Sequence, residues 1–547
     1  MFSCVSTVFR MRSIAVANVV LVCFVVLSSA FEVPDEDWNK IGADTLEKLL
    51  NIKENSNKAR NVILFLGDGM GIPTITAGRI YKGQKEGNPG EETVLNFEAF
   101  PHTALAKTYN VNHQVPDSAG TGTAYLCGVK ANYATLGVTH KVEKDDCDAS
   151  LEDKNRVSSI AEWFNKDGRS TGIITTARLT HATPAAVYAK SSSRYWESDK
   201  DLEASNEGKC KDIAAQLIED NGYIQVLMGG GRRNYWPKNK VDPQYPTKNG
   251  TRVDNRDLMK VWRDMREEEG VTHADFYDKA GFDQVDPEKI DYMLGLFDYS
   301  HMQYELDRVK QTPINQPSLK EMTEKAIKIL NRNDKGYFLL VEAGRIDHAH
   351  HDALPKKALE DTVALDEAVK QALSMTDTED TLIVVTADHS HVFTQGGYPA
   401  RGRNILGFVG PESEVIEPTR DGFPTPILNY AQGPVVGRYD LSDVDMEADD
   451  FTSPALIKMD YETHGGEDVA VYAQGPHSHL FKGTIEQNVI AHVMGYSACV
   501  GDHIQRGGHC SPTTAAPTQA NAAPLSASGL FVPTMTAILV LVTINMS

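Results

Sequence analysis

The stretch NVILFLGDGMG, residues 61–71, decides the fold. After Asn61 comes an unbroken apolar run, Val62 to Leu66, of strand length, the pattern of a strand buried on both faces inside a parallel sheet. Gly67-Asp68-Gly69-Met70-Gly71 closes the run. The glycines invite a dinucleotide-loop reading, but the third glycine of G-x-G-x-x-G is missing in either register. What remains is one carboxylate, Asp68, at the C-terminal end of a strand, the edge where open α/β sheets place their ligands. A plain helix cap is the competing role for such an aspartate.

Working outward, the same grammar repeats. Residues 156–165 read as a helix and 171–175 as a strand; 210–221 read as a helix, and 226–228 as a strand closed by Gly229-Gly230-Gly231. Helices at 319–330 and 354–373 alternate with strands at 338–342 and 381–386. This alternation predicts an α/β fold: a doubly wound, mostly parallel central sheet with helices on both faces. Residues 396–461, rich in Pro, Gly and acidic side chains, break the pattern and read as an inserted, crown-like surface subdomain. Strand and helix resume at 469–473 and 485–494, so the catalytic α/β unit is assigned to 61–395 and 462–500. Helical spacing at 44–52, preceded by Trp38, makes 31–60 an N-terminal helical arm.

With 547 residues and 41% hydrophobic content the chain can bury a large core, and 75 Asp plus Glu against 54 Lys plus Arg speak against a nucleic-acid partner. Both ends read as processing signals. Arg10 and Arg12 precede an apolar run at 14–27 and small residues at 28–30, a secretory signal over 1–30, with Met11 as a second candidate start. A low-complexity stalk at 501–522 leads to an apolar tail without a basic flank. That composition predicts a GPI-attachment propeptide at 523–547, with the anchor near Asn521; a short membrane-spanning tail is the alternative. Of the 7 cysteines, Cys4 and Cys23 leave with the signal. Five remain, so one thiol is free, and Cys127 in an apolar helix is the candidate. Asn249-Gly250-Thr251 is a glycosylation sequon.

One serine stands out. In HQVPDSAGTGTAY, residues 113–125, Asp117-Ser118 opens a run of small residues that continues as a helix, so Ser118 sits at a helix N-terminus where an anion is stabilised. Either residue can be the cap, and a serine nucleophile needs a base or a metal beside it. The residues that follow the strands supply candidates: Asp68; His181 and Thr183; Glu342, Asp347 and His351; Asp388 and His389; and His464. Imidazole with carboxylate suits zinc, and an all-oxygen set suits magnesium. Asp347 and His351, four apart, share a helical face. The His-rich segment 347–352 also reads as a solvated loop, and His348, His350 and His391 as bystanders.

These motifs carry a resemblance. GDGMG, VPDSAGTGTAYLCGVKAN, EAGRIDHAHH, TADHSHVF and ETHGGEDVAV, all in order, resemble animal alkaline phosphatases along 38–510. The resemblance implies hydrolysis of phosphate monoesters through a phosphoserine on Ser118, with two Zn2+ and one Mg2+ per chain. It implies that Asp347, His351 and His464 hold one zinc; that Asp68, Asp388 and His389 hold the other beside Ser118; and that Asp68, Thr183 and Glu342 hold the magnesium. Arg194 matches the arginine that grips phosphate, His181 a histidine behind the magnesium ligands, and Tyr398 a tyrosine that reaches toward a partner subunit in a homodimer. Disulfides Cys147–Cys210 and Cys499–Cys510 are implied too. At a further calcium site of mammalian members, Gln244 and Gln316 replace carboxylates beside Phe297 and Asp298, so calcium is expected to be absent or weakly held, with the charged neighbour Asp242 as the alternative ligand. A related sulfatase would need a C-x-P-x-R motif, which is missing. A related phosphodiesterase would lack Arg194, Thr183 and Glu342, and a GPI-anchored binding protein that had lost the chemistry would show a broken ligand.

Overall fold

The computed structural model describes residues 37–510, apart from 203–205, 207, 411–418 and 505–509. The signal and anchor segments lie outside the described residues, among which no helix is long and apolar enough to cross a membrane.

The chain lays down β1 (Asn61–Gly67), β2 (His102–Lys107), β3 (Ser170–Arg178), β4 (Val226–Gly230), β5 (His273–Phe276), β6 (Tyr292–Leu296), β7 (Tyr337–Ala343) and β8 (Thr381–Ala387). Then follow β9 (Ser390–His391), β10 (Phe393–Gln395), β11 (Leu428–Gly433), β12 (Ala455–Lys458), β13 (His464–Gly465), β14 (Val469–Gln474) and β15 (Gly483–Glu486). Among the described residues ten strands form one sheet, in the order β15-β2-β14-β8-β1-β7-β3-β4-β6-β5. From β8 to β5 every pairing is parallel, and β14 enters antiparallel between β8 and β2. The fold is the predicted mostly parallel α/β sheet. β1 lies near its middle with all seven residues buried, because NVILFL presents apolar side chains to helices on both faces.

Register positions the site. Gly67 pairs with Ala343 on one side and Ala387 on the other. Asp68 and Asp388, the next residues, therefore emerge side by side at the carboxyl edge, and Glu342 faces Thr175 one step below.

Some elements differ from their expected spans. The helix expected at 156–165 starts at Ile160, because Ser159 and Glu162 form a capping box there, while Arg156 bridges to Val138. The helix expected over 210–221 shrinks to Ile213–Ala215, capped by Asp212, and a π turn at Gln216–Asp220. The segment 347–352 is not a solvated loop but lies in and just after the helix Arg345–His351. Residues within and just before the segment 396–461 share a second apolar cluster with the main unit. β10, β11 and β12 form a small sheet, and Phe393, Leu406, Ile427 and Tyr430 pack with Ala77, Ile80 and Leu359 from the catalytic helices.

Candidate active site

Asp117, not Ser118, is the cap of the helix Ser118–Cys127. Its carboxylate accepts from the N–H groups of Ala119 and Gly120. Ser118 is thereby left as the first helical residue with its hydroxyl unspent on capping, 3.1 Å from His389 Nε2. The same carboxylate accepts from Arg194 Nη1 at 3.1 Å. One group thus fixes both the serine's helix and the guanidinium beside it. Arg194 Nη2 lies 3.1 Å from His181 Nε2. Burial first, then the charges of Arg194 and Arg178, hold His181 well below the ordinary imidazole range, so it is neutral and accepts from the arginine.

The strand-end residues gather in three sets. In one, His351 Nε2 and His464 Nε2 each lie 3.4 Å from Asp347 Oδ1 and 3.2 Å from each other. In the second, His389 Nε2 lies 3.1 Å from Asp388 Oδ2 and 3.6 Å from Asp68 Oδ1. The third joins Asp68, Glu342 and His181, whose ligand atoms lie within 4.8 Å of one another. Thr183 adjoins it, its side chain hydrogen-bonding to Glu342. Every residue expected to hold a metal is therefore in one of these sets or beside it.

Their chemistry fits cations. Around zinc, with bonds of ~2.0–2.1 Å, tetrahedral ligand atoms sit ~3.3 Å apart, the spacing of the first set. Both Asp68 oxygens, Asp388 Oδ2 and Glu342 Oε1 are buried without a hydrogen-bond partner, a costly state for carboxylates unless a cation meets them. Burial, then the charges of Asp388, Asp347 and Glu342, raise Asp68 well above its ordinary value. Glu342 is pushed up to about 7, chiefly by burial. Bound positive charge would relieve this crowding of carboxylates.

A sequence model of the alkaline phosphatase family matches residues 59–500 of this chain. The chain belongs to the alkaline phosphatase family. It is 47% identical over 505 residues to the human tissue-nonspecific alkaline phosphatase, covering 90% of this chain and 94% of that one. Identity to an alkaline phosphatase of Gadus morhua is 48% over 476 residues, 85% and 97% of the two chains. To a membrane-bound alkaline phosphatase of Bombyx mori it is 42% over 488 residues, 86% and 87%. Among solved structures, the alkaline phosphatase of the Antarctic bacterium TAB5 superposes with a TM-score of 0.54 at 21% identity, covering 82% of this chain and 99% of that one. That of Thermus thermophilus gives 0.56 at 20% identity, covering 82% and 93%. The two bacterial structures share the fold. The protein is a metal-dependent phosphoric monoester hydrolase.

In this alkaline phosphatase the three histidines read as bystanders each make contacts, and one of them, His391, lies against an expected metal ligand. His391 is buried, with Nε2 2.9 Å from Asp347 Oδ1 and Nδ1 on the Glu462 carboxylate. His350 is buried between the Thr74 hydroxyl (3.0 Å) and the Tyr430 hydroxyl (2.8 Å), linking the ligand helix to β11. His348 packs its ring 4.0 Å from that of His301. Gly69 shows why the GDGMG turn needs glycine: at φ +69°, a Cβ there would collide with the His391 ring. Glu462 was missed altogether, since a lone glutamate two residues before His464 carries no pattern.

The disulfides Cys147–Cys210 and Cys499–Cys510 are both formed, and Cys127 is free and buried. Around Asp298 the chain has donors where a calcium would need acceptors. Gln316 Nε2 donates to Asp298 Oδ2 at 2.6 Å and to the Phe297 carbonyl at 3.4 Å. Gln303 Nε2 and the Tyr245 hydroxyl donate to the same oxygen, each at 3.1 Å. Gln244 Oε1 accepts from Arg232 Nη2 at 2.9 Å, whose guanidinium also clamps Asp242. These residues do not fit a calcium ion, because the oxygens are already satisfied by neutral amides and a buried guanidinium.

Proposed function

We propose that this enzyme hydrolyses phosphate monoesters to an alcohol and inorganic phosphate through a covalent phosphoserine on Ser118. Asp347, His351 and His464 would hold one zinc, Asp68, Asp388 and His389 the second, and Asp68, Thr183 and Glu342 a magnesium, with no tightly held calcium. When bound, the cations supply the positive charge that makes the serine hydroxyl a nucleophile near neutral pH and stabilises the departing oxygen. The chain does the rest. Arg194 presents two N–H groups to phosphate oxygens, a fork that lysine cannot match. Asp117 keeps that fork aimed, and neutral His181 accepts from its other arm. The Ser118 oxygen bonds to phosphorus as the ester oxygen leaves with the alcohol; water then cleaves the phosphoserine, returning the hydroxyl and freeing phosphate.

The observation that carries this is the coincidence, at one sheet edge, of a helix-terminal serine whose hydroxyl does no capping with four buried carboxylates and three imidazoles in metal-ligand spacing. Release of p-nitrophenol from p-nitrophenyl phosphate, abolished by a chelator and restored by zinc with magnesium, tests it. Chelator-resistant activity would overturn it.

We also propose that the protein sits on the outer face of the plasma membrane, held by a GPI anchor, a reading that the signal-like and anchor-like ends of the sequence support. Phosphatidylinositol-specific phospholipase C should release activity from intact cells, and activity that stays with the cells argues for a spanning tail. Tyr398, 73% exposed on the inserted region, reaches toward a second copy in a homodimer, which sedimentation of the released enzyme checks.

A further inference from the structure

Next to Asp117 and Arg194 lies an aromatic cluster that the chemistry above does not use. Tyr133 precedes Ala134, whose N–H donates to Asp117 Oδ1 at 2.9 Å and whose carbonyl accepts the Arg194 N–H at 2.9 Å. Ala134 has a φ of 63°, a conformation that a residue with a Cβ keeps only where its surroundings fix it. Tyr133 is thus tied, through one residue, to the cap of the serine's helix and to the phosphate-gripping arginine. Its ring stacks on His113 with centroids 4.6 Å apart and planes at 30°. Asn112 Oδ1 holds both partners, 2.9 Å from the Tyr133 N–H and 2.9 Å from His113 Nδ1. Tyr195 follows Arg194 directly and is 54% exposed, with the Tyr133 hydroxyl beside its own.

Burial first, then Tyr195, pushes the Tyr133 phenol up to about 12. The ring therefore stays uncharged in alkaline solution and does not repel a phosphate dianion. Rings fixed in place next to a phosphate grip offer π faces to whatever flat group the ester carries, and stacking of that kind tolerates any base or aryl ring.

We propose that His113, Tyr133 and Tyr195 form a leaving-group subsite that favours phosphate monoesters whose alcohol carries a flat aromatic ring, nucleoside monophosphates among them. The inference rests on the phosphomonoesterase reading, so its test compares two esters of the same primary alcohol chemistry: adenosine 5′-monophosphate and methyl riboside 5-phosphate, which differ only in the base. With the metal-loaded enzyme, kcat/KM is expected to favour the adenosine ester by about tenfold, through KM, equivalent to ~1.4 kcal/mol. Tyr133→Leu combined with Tyr195→Ser should bring the two esters within about twofold of each other, and Tyr133→Phe, which keeps the ring, should retain the preference. Tyr195→Ser alone changes a side chain that is largely exposed and should lower the ratio about threefold. A ratio near one in the parent enzyme, or a ratio unmoved by Tyr195→Ser, overturns the inference even if the double variant does not fold. Absence of phosphate release from both esters would instead overturn the phosphomonoesterase reading itself.

Discussion

His391 Nε2 lies 2.9 Å from Asp347 Oδ1, and its other nitrogen faces the buried Glu462 carboxylate. Burial opposes a charged imidazole, yet Glu462 and Asp347 raise His391 to about 10. A positive ring is thereby held between two carboxylates, one of them a proposed zinc ligand. Such a partner orients its ligand, and removing one typically costs about 10–100-fold in metal affinity or activity. His391→Ala is predicted to lower kcat in that range and to leave zinc easier to dialyse away, with His391→Gln milder. Full activity with full metal content would show that Asp347 needs no support.

The Cys147–Cys210 bridge closes a sequence separation of 63. Constraint of the unfolded chain by a loop of that length is worth about 4 kcal/mol in the chain-entropy description. Cys147→Ser with Cys210→Ser should therefore lower Tm by several degrees without changing KM for p-nitrophenyl phosphate. Thermal melts with steady-state kinetics check both halves.

Asp361 sits wholly inside, its carboxyl pushed from 3.8 up to about 8 chiefly by burial, with Arg345 opposing. The unfolded chain releases this proton near pH 3.8 while the folded chain keeps it until about pH 8. Across that window the folded state binds the extra proton, so this group's contribution to stability falls as pH rises. Asp361→Asn removes the penalty and keeps an acceptor for the Glu305 N–H that Asp361 now receives at 3.2 Å. The variant should gain Tm at pH 8 relative to pH 5, by a few degrees. Melting curves that run parallel to the parent's at both pH values would contradict this.

Around Asp298 the prediction is of indifference to calcium. Two amides and a phenol already donate to its Oδ2. Elemental analysis after exhaustive dialysis should find two zinc and one magnesium per chain without calcium, and a calcium-selective chelator should leave Tm unmoved. Gln316→Glu, which replaces the donor by a carboxylate, should add a measurable calcium response.

Much of this architecture was legible because the catalytic edge lies at strand ends. NVILFL announces a doubly buried strand, and the polar residues after such strands necessarily share one edge. Asp347 and His351 were legible through the helical four-residue spacing. His391 was not, although a signal existed: it stands two residues after His389, and in extended chain alternate residues share a side. β5 and β6 escaped notice because HADF is half-buried and Gly295 interrupts the apolar run of β6. The small sheet of β10, β11 and β12 was invisible for a different reason. β10 and β11 pair across more than thirty residues, and no local periodicity encodes a contact of that range.

The central claim is that Ser118 carries the phosphoryl group. Enzyme turning over a phosphate monoester, quenched in acid and digested, should yield a phosphorylated peptide spanning 113–125 with the modification on Ser118, absent from Ser118→Ala. A phosphoryl group mapped to another residue, or undiminished turnover in Ser118→Ala, would contradict the account.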